Sequence, residues 1–140
     1  MDIIIDTREQ LPLFKNGCIR YKLPVGDYST MMLKDVFAVE RKSPSDLYGT
    51  IIQGHRRFRD ELLRAEDMGI KLVMYVECSK DDFIAKRFPG GRYRQTSGQT
   101  LGKIIKTIEE RYGVEVVWCS SRRACSIAVK KRLIEEEAKL

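Results

Sequence analysis

Three charged residues directly follow a short apolar run in the first third of the chain. Residues 37–39 are apolar and β-prone, Glu40, Arg41 and Lys42 come next, and Asp46 stands four residues after Lys42. We expect a buried strand with the charged trio at its carboxyl end, where ionisable groups need partners. Carboxylates bind Mg²⁺ or Mn²⁺, and a nearby lysine can orient water and neutralise charge on a phosphate. The stretch is therefore a candidate metal site for phosphodiester hydrolysis.

The same stretch also has a purely structural interpretation. Residues 43–46 are typical of a helix start, with Ser43 as N-cap, Pro44 at the first helical position and Asp46 completing a capping box. Glu40 and Lys42 could equally form one surface ion pair. Because short motifs have real false-positive rates, these residues alone leave both interpretations open.

Two further acids are predicted to reach the same place. Asp6 follows the apolar run at residues 3–5, which predicts a buried strand, and Arg8 emerges just beyond it. Asp27 begins another strand, which we expect to continue as far as residue 33. An antiparallel hairpin returning through Glu40 would bring the two acids Asp27 and Glu40 side by side. Either Asp6 or Asp27 alone is typical of a turn or loop.

The amino-acid composition favours some classes of protein and argues against others. Lys and Arg number 26 against 20 for Asp and Glu, giving a net charge of +6, which favours a polyanionic partner such as nucleic acid. The four cysteines form no Cys-x-x-Cys pair and there is one histidine, which argues against a zinc site. No apolar run approaches the roughly 18 residues that cross a bilayer, and no signal peptide is evident. We expect a soluble intracellular protein.

Apolar periodicity predicts an α/β chain with one domain over residues 1–140, because 43% hydrophobic residues can bury one core and no composition shift marks a second. The predicted strands are residues 2–6, 18–23, 28–33, 36–39, 70–76 and 114–118. The predicted helices are residues 47–52, 55–68, 100–112 and 120 or 121 to 140, with a short helix or irregular segment at 81–88. The last helix, beside the strand that bears Trp118, could form a dimer surface.

Arg8 and two basic segments are candidate DNA contacts. Three arginines crowd the first turn of the helix from residue 55, where the helix dipole disfavours cations, so they could meet an external phosphate or form a solvated basic face. They are Arg56, Arg57 and Arg59. Arg92 and Arg94 flank Tyr93 in a glycine-rich loop, an arrangement that can track a nucleic-acid backbone or remain solvated.

Together these motifs resemble the signature of the XPF/Hef-type structure-specific endonuclease family. The matching residues are Gly26-Asp27, then Glu40-Arg41-Lys42, then Asp46 after three further residues. The segment Asp6-Thr7-Arg8-Glu9 is similar to the end of the family's first strand, and Gly54 with Arg57-Phe58 is similar to the basic segment after the signature. His55 stands where the family commonly has arginine.

The resemblance implies a restriction-endonuclease-like α/β core with a central mixed sheet flanked by helices. It implies cleavage of one DNA strand near branches, flaps or single-strand/duplex junctions, in DNA repair or recombination. Lys42 would position water or stabilise charge, Arg41 would support the site or bind phosphate, and Asp6 would be an additional acidic member. The ligands implied for Mg²⁺ or Mn²⁺ are Asp27, Glu40 and Asp46.

The resemblance has limits within residues 1–140. Many family members carry helix-hairpin-helix modules and some carry a helicase region, and we expect neither here, as in a small, stand-alone or phage-like member. A homodimer, a protein partner or the basic segments would then have to target DNA. A non-catalytic DNA-binding subunit and a metal-free basic binding module are the alternative functions. The intact acids and lysine favour the nuclease.

Overall fold

Six strands form one mixed sheet, and helices cover both of its faces. The computed structural model describes residues 1–140. The strands are β1 (Ile3–Ile5), β2 (Cys18–Arg20), β3 (Tyr28–Thr30), β4 (Phe37–Lys42), β5 (Lys71–Val76) and β6 (Glu115–Trp118). The helices are α1 (Pro44–Ile52), α2 (His55–Asp67), α3 (Lys80–Ile84), α4 (Gly98–Tyr112) and α5 (Arg122–Ala138), with a 3-10 turn at Gly91–Tyr93. None of these helices combines the length and apolar character needed to span a bilayer.

The sheet order places the two strands of the signature side by side. The strands lie in the order β2-β1-β3-β4-β5-β6. Strand β3 is antiparallel to both of its neighbours, β1 and β4. The other three pairs, β1 with β2, β4 with β5 and β5 with β6, are parallel. Tyr28 pairs with Val39, so the start of β3 lies beside the end of β4. The predicted hairpin is confirmed, as is the α/β class with a central mixed sheet flanked by helices.

Alternation along β4 divides its side chains between two cores. Ala38 faces a core built with α1, α2, α3 and α4. Glu40 and Lys42 lie on the same face, because side chains repeat every second residue in a strand. Val39 faces the second core, which α5 closes, and Arg41 follows on that side. Adjacent residues of the signature therefore enter different environments.

Serine hydroxyls fix the starts of four helices. The Ser43 hydroxyl accepts a hydrogen bond from the Asp46 backbone N–H at 3.1 Å, and Pro44 opens α1, as predicted. The caps of α3, α4 and α5 are Ser79, Ser97 and Ser121. Helix α4 therefore begins at Gly98, two residues before the predicted start. Its end at residue 112, and the predicted span of α2 to within one residue, are confirmed.

Two expectations about β3 and β4 are wrong. Strand β3 ends at Thr30 instead of residue 33, because the Thr30 carbonyl accepts from the Leu33 N–H and begins a turn. The charged trio forms the second half of β4 instead of following the strand. Trp118 packs against Phe83 on the face covered by α1 to α4, whereas α5 covers the opposite face. The dimer surface at the last helix stays a prediction.

Gly26 is expected to tolerate no side chain. Its φ is +79°, and a Cβ atom would lie 3.0 Å from Ala38 Cβ and 3.1 Å from Leu72 Cδ1. Gly26→Ala should lower the free energy of unfolding by about 2–4 kcal/mol, because overpacking adds to backbone strain. Gly17, at φ +69° with no atom within 4 Å of such a Cβ, is the matched control and should cost about 1 kcal/mol. Equal losses for the two variants in urea unfolding would contradict the packing argument.

Candidate functional site

Asp27 and Glu40 meet where β3 begins beside the end of β4. The Asp27 N–H donates to the Val39 carbonyl at 2.7 Å, and the Arg41 N–H donates to Asp27 Oδ2 at 2.8 Å. The carboxyl groups of Asp27 and Glu40 lie close enough for each to influence the pKa of the other. Backbone pairing, not side-chain flexibility, therefore holds the two acids together.

Burial and neighbouring negative charges raise the pKa values of this acid pair. Burial, followed by the nearby negative charge of Glu9, raises the pKa of Asp27 to about 6 against the opposing hydrogen bond from Arg41. Glu40 is only 7% exposed, and burial together with the charge of Asp27 raises its pKa well above the ordinary value. The pair therefore favours a proton or a cation over two bare negative charges.

Glu61 of α2 is a third acid at this site, and the sequence reasoning missed it. Its carboxylate lies close enough to Glu40 for its negative charge to help raise the pKa of Glu40. From the sequence alone, Glu61 was not singled out among the charged residues of this helix. A signal was nonetheless present, because Glu61 lies within one helical turn of the buried Phe58 and Leu62 and so borders the apolar side of α2.

Lys42 lies on the same face of β4 as Glu40. Its Nζ is 3.6 Å from Glu40 Oε1, and its positive charge opposes the rise in the pKa of Glu40. The ion pair considered from sequence is therefore present, but one of its members is buried. A cation sits directly beside the acid pair, where it can act on an anionic substrate.

Arg41 points to the other face of the sheet and is already fully engaged. Its guanidinium donates to both oxygens of Glu9, at 2.9 and 3.0 Å, and also to Glu77. Arg122 of α5 pairs with Glu77 at 3.5 Å and donates to the Leu11 carbonyl at 2.6 Å. The geometry favours the supporting role implied for Arg41 over the phosphate contact.

Asp6 fixes Arg8 at the edge of the site. The Asp6 carboxylate accepts from the Arg8 Nε and from the Leu23 backbone N–H, both at 2.8 Å. Burial alone would raise the pKa of Asp6, but these hydrogen bonds outweigh it and hold the pKa below its ordinary value. The Arg8 side chain remains largely exposed and feels the charges of Glu61 and Asp27. Asp6 thus holds the Arg8 guanidinium near the carboxylates of Asp27 and Glu61.

The structure does not bring Asp46 into contact with the other acids. Asp46 is exposed in the first turn of α1, and no hydrogen bond joins it to Asp27 or Glu40. No group of three or more Asp, Glu, His or Cys side chains has an arrangement suited to a metal ion. The assignment of Asp46 as a ligand stays a prediction.

The predicted basic segments occupy two further positions. The arginines in the first turn of α2 are exposed, and its N-cap residue Gly54 makes no side-chain cap. Arg57 lies four residues before Glu61, on the same side of α2, whereas Arg59 lies away from it. The Arg94 guanidinium stacks on the Tyr48 ring at 4.8 Å, so that side chain is packed against α1.

Two solved structures share this fold. XPF from Aeropyrum pernix superposes with a TM-score of 0.71 at 19% identity, over 94% of this chain and 64% of that one. XPF from Aeropyrum pernix in complex with DNA gives a TM-score of 0.70 at 21% identity, over 99% of this chain and 65% of that one. The chain thus spans less than two thirds of the length of these proteins, and the likeness defines its fold as that of an XPF nuclease domain.

The family model for the ERCC4 domain matches residues 5–130. Because the match covers most of the chain, this protein belongs to the ERCC4 domain family. The predicted resemblance to XPF-type nuclease domains is confirmed. No curated protein matches the sequence.

The raised pKa of Asp27 predicts that Asp27→Asn stabilises the protein in alkaline solution. An unfolded aspartate titrates near its ordinary value of about 4, but Asp27 titrates at about 6 in the fold. The protonated carboxyl therefore favours the fold below about pH 4, and this contribution is lost as the pH rises through about 6. At about pH 8 the variant should gain on the order of 1–3 kcal/mol, with a higher Tm, and the gain should shrink toward pH 5.

Asp2→Asn is the matched control for charge, because Asp2 is exposed and makes no side-chain hydrogen bond. Thermal unfolding in EDTA across this pH range measures both variants. An Asp27→Asn variant that is less stable than the parent at alkaline pH would refute the prediction that ionised Asp27 destabilises the fold.

Proposed function

We propose that this chain is an endonuclease that hydrolyses DNA phosphodiesters with Mg²⁺ or Mn²⁺, at branches, flaps or single-strand/duplex junctions. We further propose that residues 1–140 form one XPF-type nuclease domain. The observation that carries the proposal is the meeting of Asp27, Glu40 and Lys42 on one face of the sheet, in a member of the ERCC4 domain family.

The donor set fits a hard divalent cation. Asp27 and Glu40 supply carboxylate oxygens, and their raised pKa values reflect negative charges that a cation would neutralise. Mg²⁺ keeps several waters and commonly takes only one or two protein carboxylates together with substrate phosphates, so two acids suffice. Glu61 adds a further negative charge near Glu40, which raises the pKa of Glu40. When bound, the ion would polarise the phosphate and acidify water.

Lys42 provides the positive charge that the reaction requires. Negative charge grows on the phosphate oxygens during attack by water, and a fixed ammonium stabilises it most strongly where water is excluded. Lys42 stands 3.6 Å from Glu40, at the end of a strand whose preceding residues are buried. The backbone of β4 fixes the face on which Lys42 lies, and the ion pair with Glu40 holds its Nζ near the acids.

The cations around the acids indicate how DNA would approach. Arg8 is held by Asp6 at one side of the site, and Arg57 lies one turn before Glu61 on α2. Phosphate contacts of this kind orient a protein on DNA without reading its sequence. A related fold has been solved in complex with DNA, which supports DNA as the substrate.

A non-catalytic DNA-binding subunit is the second candidate. The net charge of +6 and the exposed arginines would serve both functions. The acid pair favours the nuclease, because a subunit that only binds DNA gains nothing from strained, buried negative charge beside its polyanionic ligand.

Lys42→Ala should reduce cleavage by at least about a hundredfold, since removing one group that stabilises transition-state charge costs about 10²–10³ in rate. The assay uses labelled duplex, single-stranded, flap and splayed-arm DNA with Mg²⁺, with Mn²⁺ and with EDTA. We expect metal-dependent cutting of the branched substrates by the parent protein. Asp27→Asn should also be inactive while remaining folded.

Lys34→Ala is the matched control, because Lys34 pairs only with Asp35 in the turn after β3. Its cleavage rate should equal that of the parent. Cutting that persists in EDTA, or full activity of Lys42→Ala, would remove the assigned site. DNA binding without any cutting under all conditions would favour the non-catalytic subunit.

Arg57→Ala should weaken DNA binding more than Arg59→Ala, because only Arg57 shares the side of α2 that carries Glu61. The loss of one phosphate contact should lower the salt slope of the binding constant by about one. Fluorescence anisotropy with splayed-arm DNA over a salt series measures both slopes. Equal slopes for the two variants would contradict the proposed DNA path along this side of α2.

A further inference from the structure

Tyr93 presents an aromatic ring to solvent beside the candidate site. It is 72% exposed, the highest value among the exposed large apolar side chains of the protein. The Arg92 guanidinium lies 4.8 Å from the ring centroid and donates to the Tyr93 hydroxyl. This contact leaves the ring backed by a cation on one side and still largely open to solvent.

The loop that carries Tyr93 is anchored on both sides. The Ser45 hydroxyl donates to the Pro89 carbonyl at 3.0 Å before the 3-10 turn. After the turn, Lys86 Nζ donates to the Arg94 carbonyl at 3.1 Å, and the Thr96 N–H donates to the Tyr48 hydroxyl at 3.1 Å. The ring therefore projects from a fixed turn, which lowers the entropy lost when a ligand stacks on it.

The turn itself depends on close backbone packing. Gly91 is buried, and a Cβ atom there would lie 2.3 Å from the Lys86 carbonyl oxygen and 3.3 Å from the Phe88 ring. Only glycine fits this approach. The exposure of Tyr93 is thus a consequence of a compact turn, not of an unfolded loop.

The anchors also place Tyr93 near the acids. Ser45, which holds one end of the loop, is three residues after Lys42, at the start of α1. Tyr48 and Arg94, which hold the other end, join the loop to the same helix. The loop therefore flanks the end of β4 where Glu40 and Lys42 lie.

We propose that Tyr93, backed by Arg92, is a stacking platform for one unpaired nucleobase next to the bond that is cut. The inference rests on the proposed function for DNA as the ligand, and it specifies the substrate as DNA with an unstacked base at the junction. Bases inside a duplex already stack on both faces, whereas an unpaired base can stack on an exposed aromatic ring. Arg92 adds a charge for the neighbouring phosphate.

The test is metal-free binding of splayed-arm DNA that carries 2-aminopurine at successive positions next to the junction. EDTA prevents cutting, so binding is measured separately from catalysis. With the parent protein, fluorescence should be quenched at one position. Tyr93→Ala should abolish that quenching and weaken binding by on the order of tenfold, as expected for the loss of one stacked base. Tyr93→Phe, which keeps the ring, should retain both.

Tyr21→Ala is the matched control, because Tyr21 is a 40% exposed tyrosine near a lysine, Lys34, and lies just after β2 in a different part of the sheet. It should bind like the parent. Unchanged quenching and affinity in Tyr93→Ala, or equal losses in both alanine variants, would refute the proposal that a nucleobase stacks on Tyr93. Quenching that requires Tyr93 in a protein that cuts no substrate would support the platform while removing the proposed nuclease function.

Discussion

The pairing of β3 with β4 is the constraint on which the site depends. One residue before the pair formed by Tyr28 and Val39, the Asp27 carboxylate accepts the Arg41 N–H. The same pairing leaves Glu40 next to Asp27 in a poorly solvated position, where burial and the charge of Asp27 disfavour the ionised form of Glu40. The strand geometry thus makes ionisation of the two acids unfavourable. The nearby cations lie where their positive charge can reduce this penalty.

Adjacent residues of the signature perform separate tasks because a strand alternates its faces. The side chains of Glu40 and Lys42 lie on the face of the sheet that α2 covers, near Asp27. The side chain of Arg41 lies on the other face and binds Glu9 and Glu77. A strand therefore lets three consecutive charged residues serve two environments without competing. The Arg41 network supports the end of β4 on one face of the sheet, and the candidate site residues Glu40 and Lys42 lie on the other face.

Much of this arrangement could be predicted from the sequence. Apolar runs and serine caps are local signals, so the strands, the helices and the hairpin that joins Asp27 to Glu40 followed from them. The partners of Arg41 could not be predicted, because they come from positions 32 and 36 residues away in the chain. Glu61 was missed for the same reason. Its role depends on how α2 packs over the sheet, and charge on a helix surface does not reveal that.

The clamp formed by Arg122 has a consequence for the order of folding. Its guanidinium binds the carbonyls of Leu11 and Pro12, more than a hundred residues earlier, and also contacts Glu77 of the Arg41 network. Contacts between such distant segments form late, because a long loop must close first. A chain emerging from the ribosome would hold all of its acids long before the support behind β4 is complete. Helix α5 would thus be the last element to support the end of β4.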